Sequence, residues 1–166
     1  YAVTSIGMID GQPVYFKSSG TSFAAPYVSG LIGLIYSVNP GMHPELVTYI
    51  VKSTAQDIYS ENPEYAGMLG SGLIDAHAAL LKTQQLSASG ADYEVFSGQN
   101  LLWNDGEIKI VNNYIKIHSG GTLTIKGDVF LKGNAVISID RGGKLILDGA
   151  LITSYDASRW EGIQVW

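Results

Sequence analysis

The run Ser19-Gly20-Thr21-Ser22-Phe23-Ala24-Ala25-Pro26-Tyr27-Val28-Ser29-Gly30 decides how the first half of the chain is read. Gly20 permits a tight turn, and Thr21-Ser22 fall where a helix would begin. The apolar stretch from Val28 to Tyr36 then continues at helical length. A serine at a helix N-terminus sits among backbone N–H groups that lack an intrahelical partner, at the positive end of the helix dipole. Such donors can stabilise the oxyanion that forms when the hydroxyl attacks a carbonyl. A serine at a helix start is commonly no more than an N-cap. A proline four residues later is unusual for a residue that only caps.

The pattern Gly-Thr-Ser-x-Ala-x-Pro-x-Val-Ser-Gly, filled at every constrained position by residues 20–30, resembles the nucleophile segment of the subtilisin-like serine proteases. The resemblance implies that Ser22 is the nucleophile and, through its own N–H, an oxyanion donor. Gly20, Thr21 and Pro26 support the motif. Two later blocks extend the likeness in the same order. One is a helix from Pro44 that ends in Thr54-Ala55. The other is Gly70-Ser71-Gly72-Leu73-Ile74-Asp75-Ala76, similar to the element that closes the catalytic domain, with Asp75 as a helix N-cap. Together they cover about Tyr1 to Leu81.

Such proteases run in the chain order Asp, His, Ser. The base, the group that orients it and an oxyanion Asn therefore belong upstream of Ser22. The twenty-one residues before Ser22 contain no His, no Asn and one Asp. That residue, Asp10, precedes Gly11 and reads as a turn. His43 reads as a loop residue beside a helix start, His77 as part of a surface helix, and His118 as part of a strand-rich region. None is a good substitute base. The expectation is a C-terminal piece of a protease domain, inactive by itself, whose full-length parent hydrolyses peptide bonds.

Elsewhere the first half reads as α/β. Tyr1–Gly7 and Val14–Lys17 alternate as two strands of a hairpin around Asp10-Gly11. Thr21 to about Val38 reads as a buried helix ended by Asn39-Pro40-Gly41. Pro44 with Glu45 opens a second helix. Gln56–Leu69 reads as a solvated loop. The expected domains are 1–85, a C-terminal subtilisin-like portion of hairpin plus helices; 86–91, a small polar linker; and 92–166, an all-β segment.

That second half repeats. Ile115-Lys-Ile-His-Ser-Gly-Gly-Thr-Leu-Thr-Ile aligns with Ile137-Ser-Ile-Asp-Arg-Gly-Gly-Lys-Leu-Ile-Leu at an offset of 22 residues. A fainter copy sets Val95, Ser97, Gly98 and Leu101 under Ile117, Ser119, Gly120 and Leu123. One unit of short alternating strands cannot bury its apolar face alone, but stacked units can. The period predicts a parallel β-helix-like solenoid in preference to a hairpin meander. Trp160-Glu-Gly-Ile-Gln-Val reads as a further strand, and the chain reads as cut at both ends. Asp128, Asp140, Arg141 and Asp148 read as scattered around turns. Trp103, Tyr114, Tyr155 and Trp160 suit either sugar stacking or capping of the core.

Composition sets the limits. With 46% hydrophobic and 15% charged residues, the chain can bury a core. A net charge of −5 without basic clusters argues against nucleic acid as partner. There is no cysteine, no apolar run judged long enough to span a membrane, no signal peptide and no recognisable cofactor or metal-ligand cluster, although the family resemblance leaves calcium possible in the parent. The expected partners are a peptide or protein substrate and, for the solenoid, a surface or polysaccharide ligand. The resemblance implies a secreted or cell-surface setting. The alternative function is a non-catalytic adhesion or carbohydrate-binding protein on a degenerate protease scaffold.

Overall fold

A computed structural model describes residues 2–166; Tyr1, expected to open the first strand, lies outside the described residues. Strands β1 (Val3–Ile9) and β2 (Gln12–Ser18) form an antiparallel hairpin whose last pair is Ile9 with Gln12. Asp10 and Gly11 both have positive φ, at 50° and 76°, the two-residue turn that matches the twist of its strands. Helix α1 (Thr21–Val38) follows, then α2 (Pro44–Ser53) and α3 (Ala76–Ala88). Asp75 caps α3 as expected, its Oδ1 accepting from the Ala78 N–H at 2.9 Å. The loop between α2 and α3 holds a short 3₁₀ turn at Pro63–Tyr65 and is closed at its base by Gln56 and Leu73, which exchange backbone bonds of 2.7 and 3.0 Å. Gly72, at φ 118°, passes so close to the Gln56 carbonyl that a Cβ would strike it.

Of the eighteen residues of α1, only Leu31 and Ile35 are buried. The expectation of a buried helix holds for one stripe alone. Phe23, Val28, Ile32 and Tyr36 are half-buried, and the remaining residues, including Tyr27, Leu34 and Val38, face outward. By length and composition α1 is apolar enough to cross a membrane, at mean hydropathy 1.3, which corrects the reading that no run reaches that length. The two reasons are its lack of charge and its surplus of apolar side chains over buried positions.

From Ala91 onward the chain is a parallel β-solenoid of about three turns. Three faces wall it, two of them parts of one six-stranded sheet that runs through a single long strand. One joins β3 (Ala91–Val95), the C-terminal half of β5 (Ile108–Ile117), β8 (Val136–Ile139) and β11 (Gly162–Val165). A second joins β4 (Asn100–Trp103), β6 (Thr122–Ile125) and β9 (Lys144–Leu147). The third joins the N-terminal half of β5, β7 (Asp128–Leu131) and β10 (Ile152–Ser154). Every ladder in the solenoid is parallel, which excludes the meander. The 22-residue offset is the register itself: Val95 pairs with Ile117, Ile117 with Ile139, and Leu101 with Leu123, then Leu145. Inward residues of these ladders fill a continuous core of Val95, Ile115, Ile117, Leu123, Ile125 and Ile137. At the corner, Gly120 and Gly142 take φ of 77° and 88°, and a Cβ on Gly121 or Gly143 would press on the carbonyls of the preceding coil. This explains the repeated Gly-Gly.

The helices and the solenoid share a second core. Leu31, Ile35, Met42, Leu46 and Ile50 pack with Ile110, Phe130 and Tyr155. Ile110 and Phe130 are paired neighbours on adjacent coils and point away from the solenoid interior, toward the helices. Polar ties fix the contact. Asn39 Nδ2 donates to the Tyr155 hydroxyl at 3.0 Å, the His43 N–H to the Tyr155 carbonyl at 3.0 Å, and Lys132 Nζ to the Ser89 carbonyl at 2.8 Å. Residues 86–88 complete α3 and β3 opens at Ala91.

Candidate active site

Ser22 lies in the first turn of α1 and is exposed. Gly20 is the N-cap, at φ 147° and ψ 161°, a conformation that excludes side chains, and its carbonyl accepts the Phe23 N–H at 3.0 Å. The Thr21 and Ser22 N–H groups occupy helix positions that have no intrahelical acceptor. No acidic residue in the first turn offsets the dipole there. Pro26 is inside the helix and lacks the N–H that would reach back to the Ser22 carbonyl. The four motif residues thus converge on one exposed helix start that can donate hydrogen bonds to an anion.

The histidines stand elsewhere. His43 is the N-cap of α2, with Nδ1 accepting from the Glu45 N–H at 3.3 Å and its ring tilted against Phe130. It adjoins the far end of α1, about 25 Å of helix from Ser22 at 1.5 Å per residue. His77 is exposed on the first turn of α3, and His118 follows β5 in the solenoid. Among the described residues, no histidine is hydrogen-bonded to Ser22. An apolar cleft of about 400 Å³ runs beside the serine, lined by Val3, Gly20, Phe23, Tyr27, Leu73 and Ile74. It continues along α1 as a second open trough past Leu31 and Leu34. The sequence did not reveal this cleft, because hairpin, α1 and the segment before α3 meet there only in three dimensions.

A model of the subtilase family, Peptidase_S8, matches residues 5–89. The chain belongs to the subtilase family. Mycosin-3 of Mycobacterium tuberculosis is 37% identical over 82 residues, which cover 49% of this chain and 17% of that protein. An extracellular protease of Xanthomonas campestris pv. campestris is 34% identical over 71 residues, 42% of this chain and 12% of that protein. The chain therefore spans less than a fifth of the length of these relatives. No solved structure gives a significant match.

The solenoid lies beyond the subtilase match, and it holds a connected group of ionisable side chains. Glu94, Lys116 and Ser138 are register partners on successive coils, and His118 and Asp140 stand one corner position further on. The His118 Nε2 is 2.8 Å from Glu94 Oε2, and its Nδ1 is 3.4 Å from Asp140 Oδ2. Lys116 Nζ donates to Asp140 at 2.5 Å and to Ser138 at 3.3 Å, and the Tyr114 hydroxyl donates to Glu94 at 3.1 Å. The His118 and Tyr114 hydrogen bonds hold the Glu94 carboxyl below its ordinary range, and Lys116 does the same for Asp140. The Glu94 carboxylate in turn raises the Tyr114 phenol. This corrects the reading of Asp140 as one of several scattered turn residues: the 22-residue period stacks it beside His118. The signal was in the repeat, since 94, 116 and 138 are spaced by 22, as are 96, 118 and 140. Trp103 and Tyr155 are buried, which settles them as core residues, whereas Tyr114 is half-buried on the polar face.

Proposed function

We propose that this chain is the nucleophile-bearing, C-terminal part of a secreted subtilisin-like serine endopeptidase, with a protease portion that ends with α3, a connection at Ser89 and Gly90 in place of the expected 86–91, and a β-solenoid appendage from Ala91. The observation that carries this reading is the exposed serine at the uncompensated N-terminus of α1, on a chain of the subtilase family. Ser22 Oγ attacks the scissile carbonyl, and the Ser22 N–H donates to the oxyanion as the tetrahedral intermediate forms. The acyl-enzyme is then hydrolysed by water. The Asp, the His and the side-chain oxyanion donor come from upstream sequence, whose elements cover the outward face of α1 and the apolar cleft beside it. A family relative named as an extracellular protease supports the secreted setting.

A triad acts as a unit, so the 166 residues alone have no appreciable peptidase activity. The test uses the full-length parent and a fluorophosphonate probe, which labels an activated serine. Labelling and peptidase activity are expected in the parent and lost in Ser22→Ala. A parent whose Ser22→Ala form kept full activity would overturn the assignment. The second reading, a non-catalytic adhesion or carbohydrate-binding protein on a degenerate protease scaffold, is favoured by one observation, the organised polar face of the solenoid. An upstream sequence in which the Asp, His and Asn are replaced would decide for it.

A further inference from the structure

The outward side of the sheet formed by β3, β5, β8 and β11 carries a shallow groove of about 440 Å³ lined by Glu94, Tyr114, Lys116, His118, Val136 and Ser138. Its polar side chains are half-buried or exposed, and each is already held by a neighbour on the next coil. Their hydrogen-bonding capacity is not exhausted. Lys116 uses two of its three N–H donors, and Glu94 accepts two bonds where a carboxylate offers about four sites. The free capacity belongs to side chains that their neighbours already order, so they lose little freedom when a ligand arrives. Adjacent coils present these groups about 4.8 Å apart. At one margin the Phe96 ring, 52% exposed, stacks on His118 with centroids 4.8 Å apart and planes inclined by 6°.

We propose that this face binds a neutral oligosaccharide, laid across the coils. A ligand with apolar C–H faces and a periphery of hydroxyls matches the flat Phe96 ring set beside carboxylate acceptors and an ammonium donor. Charge narrows the class. Asp92, Glu94 and Asp140 outnumber Lys116 on this side of a chain of net charge −5, so polyanions such as polyuronates and nucleic acids are repelled. The inference is independent of whether Ser22 is a nucleophile, because no residue of the groove belongs to the protease portion.

The experiment is isothermal titration of the intact chain with cellohexaose, maltohexaose and xylohexaose, and with polygalacturonate and an unstructured peptide as contrasts. At least one neutral hexasaccharide is expected to bind. Phe96→Ala is expected to weaken it roughly tenfold by removing the stacking ring. Glu94→Gln should weaken it less, since the amide keeps an acceptor. Lys126→Gln, on the β6 side of the solenoid, should leave it unchanged. Thermal unfolding of each variant separates loss of binding from loss of fold. Absence of binding by all three hexasaccharides, affinity indifferent to Phe96→Ala in a folded variant, or preference for polygalacturonate or the peptide would each overturn the proposal.

Discussion

Ser22 is set in place by backbone more than by side chains. Gly20 occupies a conformation open only to glycine, and Pro26 leaves the Ser22 carbonyl without its helical donor. Two other residues carry local predictions. Asp75 accepts the Ala78 N–H and also the Gln56 side-chain amide at 2.9 Å, and these bonds hold its carboxyl below the ordinary value. Asp75→Ala should lower the urea midpoint of unfolding, the usual effect of losing a cap. Gly72→Val should do more harm. A Cβ there meets the Gln56 carbonyl and the φ of 118° is strained for any side chain, so the base of the 56–73 loop must open. Hydrogen exchange at the Gln56 and Leu73 amides would register that opening, and unchanged protection would contradict the account.

Helices and coils meet through outward-facing residues of the solenoid. In an isolated solenoid those positions would face water, yet Ile110 and Phe130 are 5% and 1% exposed because α1 and α2 cover them. Phe130→Ala removes a buried ring from between the solenoid and the helices that cover it. A loss of about 3–5 kcal/mol is expected from the lost burial and the cavity together. Because the core is shared, the damage should spread. Helical and β signals are expected to fall in one transition in the native chain, and to move together in the variant. Two separate transitions in the native chain would show that the halves are stable independently. The trough along α1 is the opposite case, an apolar helix face that no described residue covers.

Acid and alkali should act on the molecule through the solenoid ladder. Asp92, Glu94 and Asp140 all have carboxyls held low, by Asn113, His118 and Lys116 respectively. A depressed carboxylate stabilises the fold above its unfolded pKa, and that contribution is lost as pH falls through the folded value. With ordinary values of 3.8 for Asp and 4.5 for Glu, stability should decline below about pH 4.5 and continue down past 3.8. Tyr114 behaves in the opposite sense. Its phenol is raised from 10.0, so its bond to Glu94 is kept up to that pH and is lost as pH rises through the folded value. Thermal midpoints measured from pH 2.5 to 11 should fall at both ends. Glu94→Gln should flatten both arms, and an unchanged profile in that variant would dissociate the ladder from stability.

Much of this was legible along the chain. The Gly-Thr-Ser-x-Ala-x-Pro pattern named the helix start, Asp10-Gly11 the hairpin turn, and the repeat of Gly120-Gly121 at Gly142-Gly143 the corner of the coils, since each depends on neighbours in sequence or on a fixed period. The same period held the columns of Glu94 and Lys116 and of His118 and Asp140, but it was read for apolar residues alone and the charged ones were taken as scattered. What stayed hidden depends on surfaces that meet across long separations. Nothing in the pattern of β7 tells that Phe130 faces helices and not solvent, because an apolar residue on either side of a strand looks the same in a short run. The exposure of α1 follows from how few of its apolar side chains find a partner. Local geometry and periodicity wrote the elements, and the packing of those elements against one another decided which faces they show.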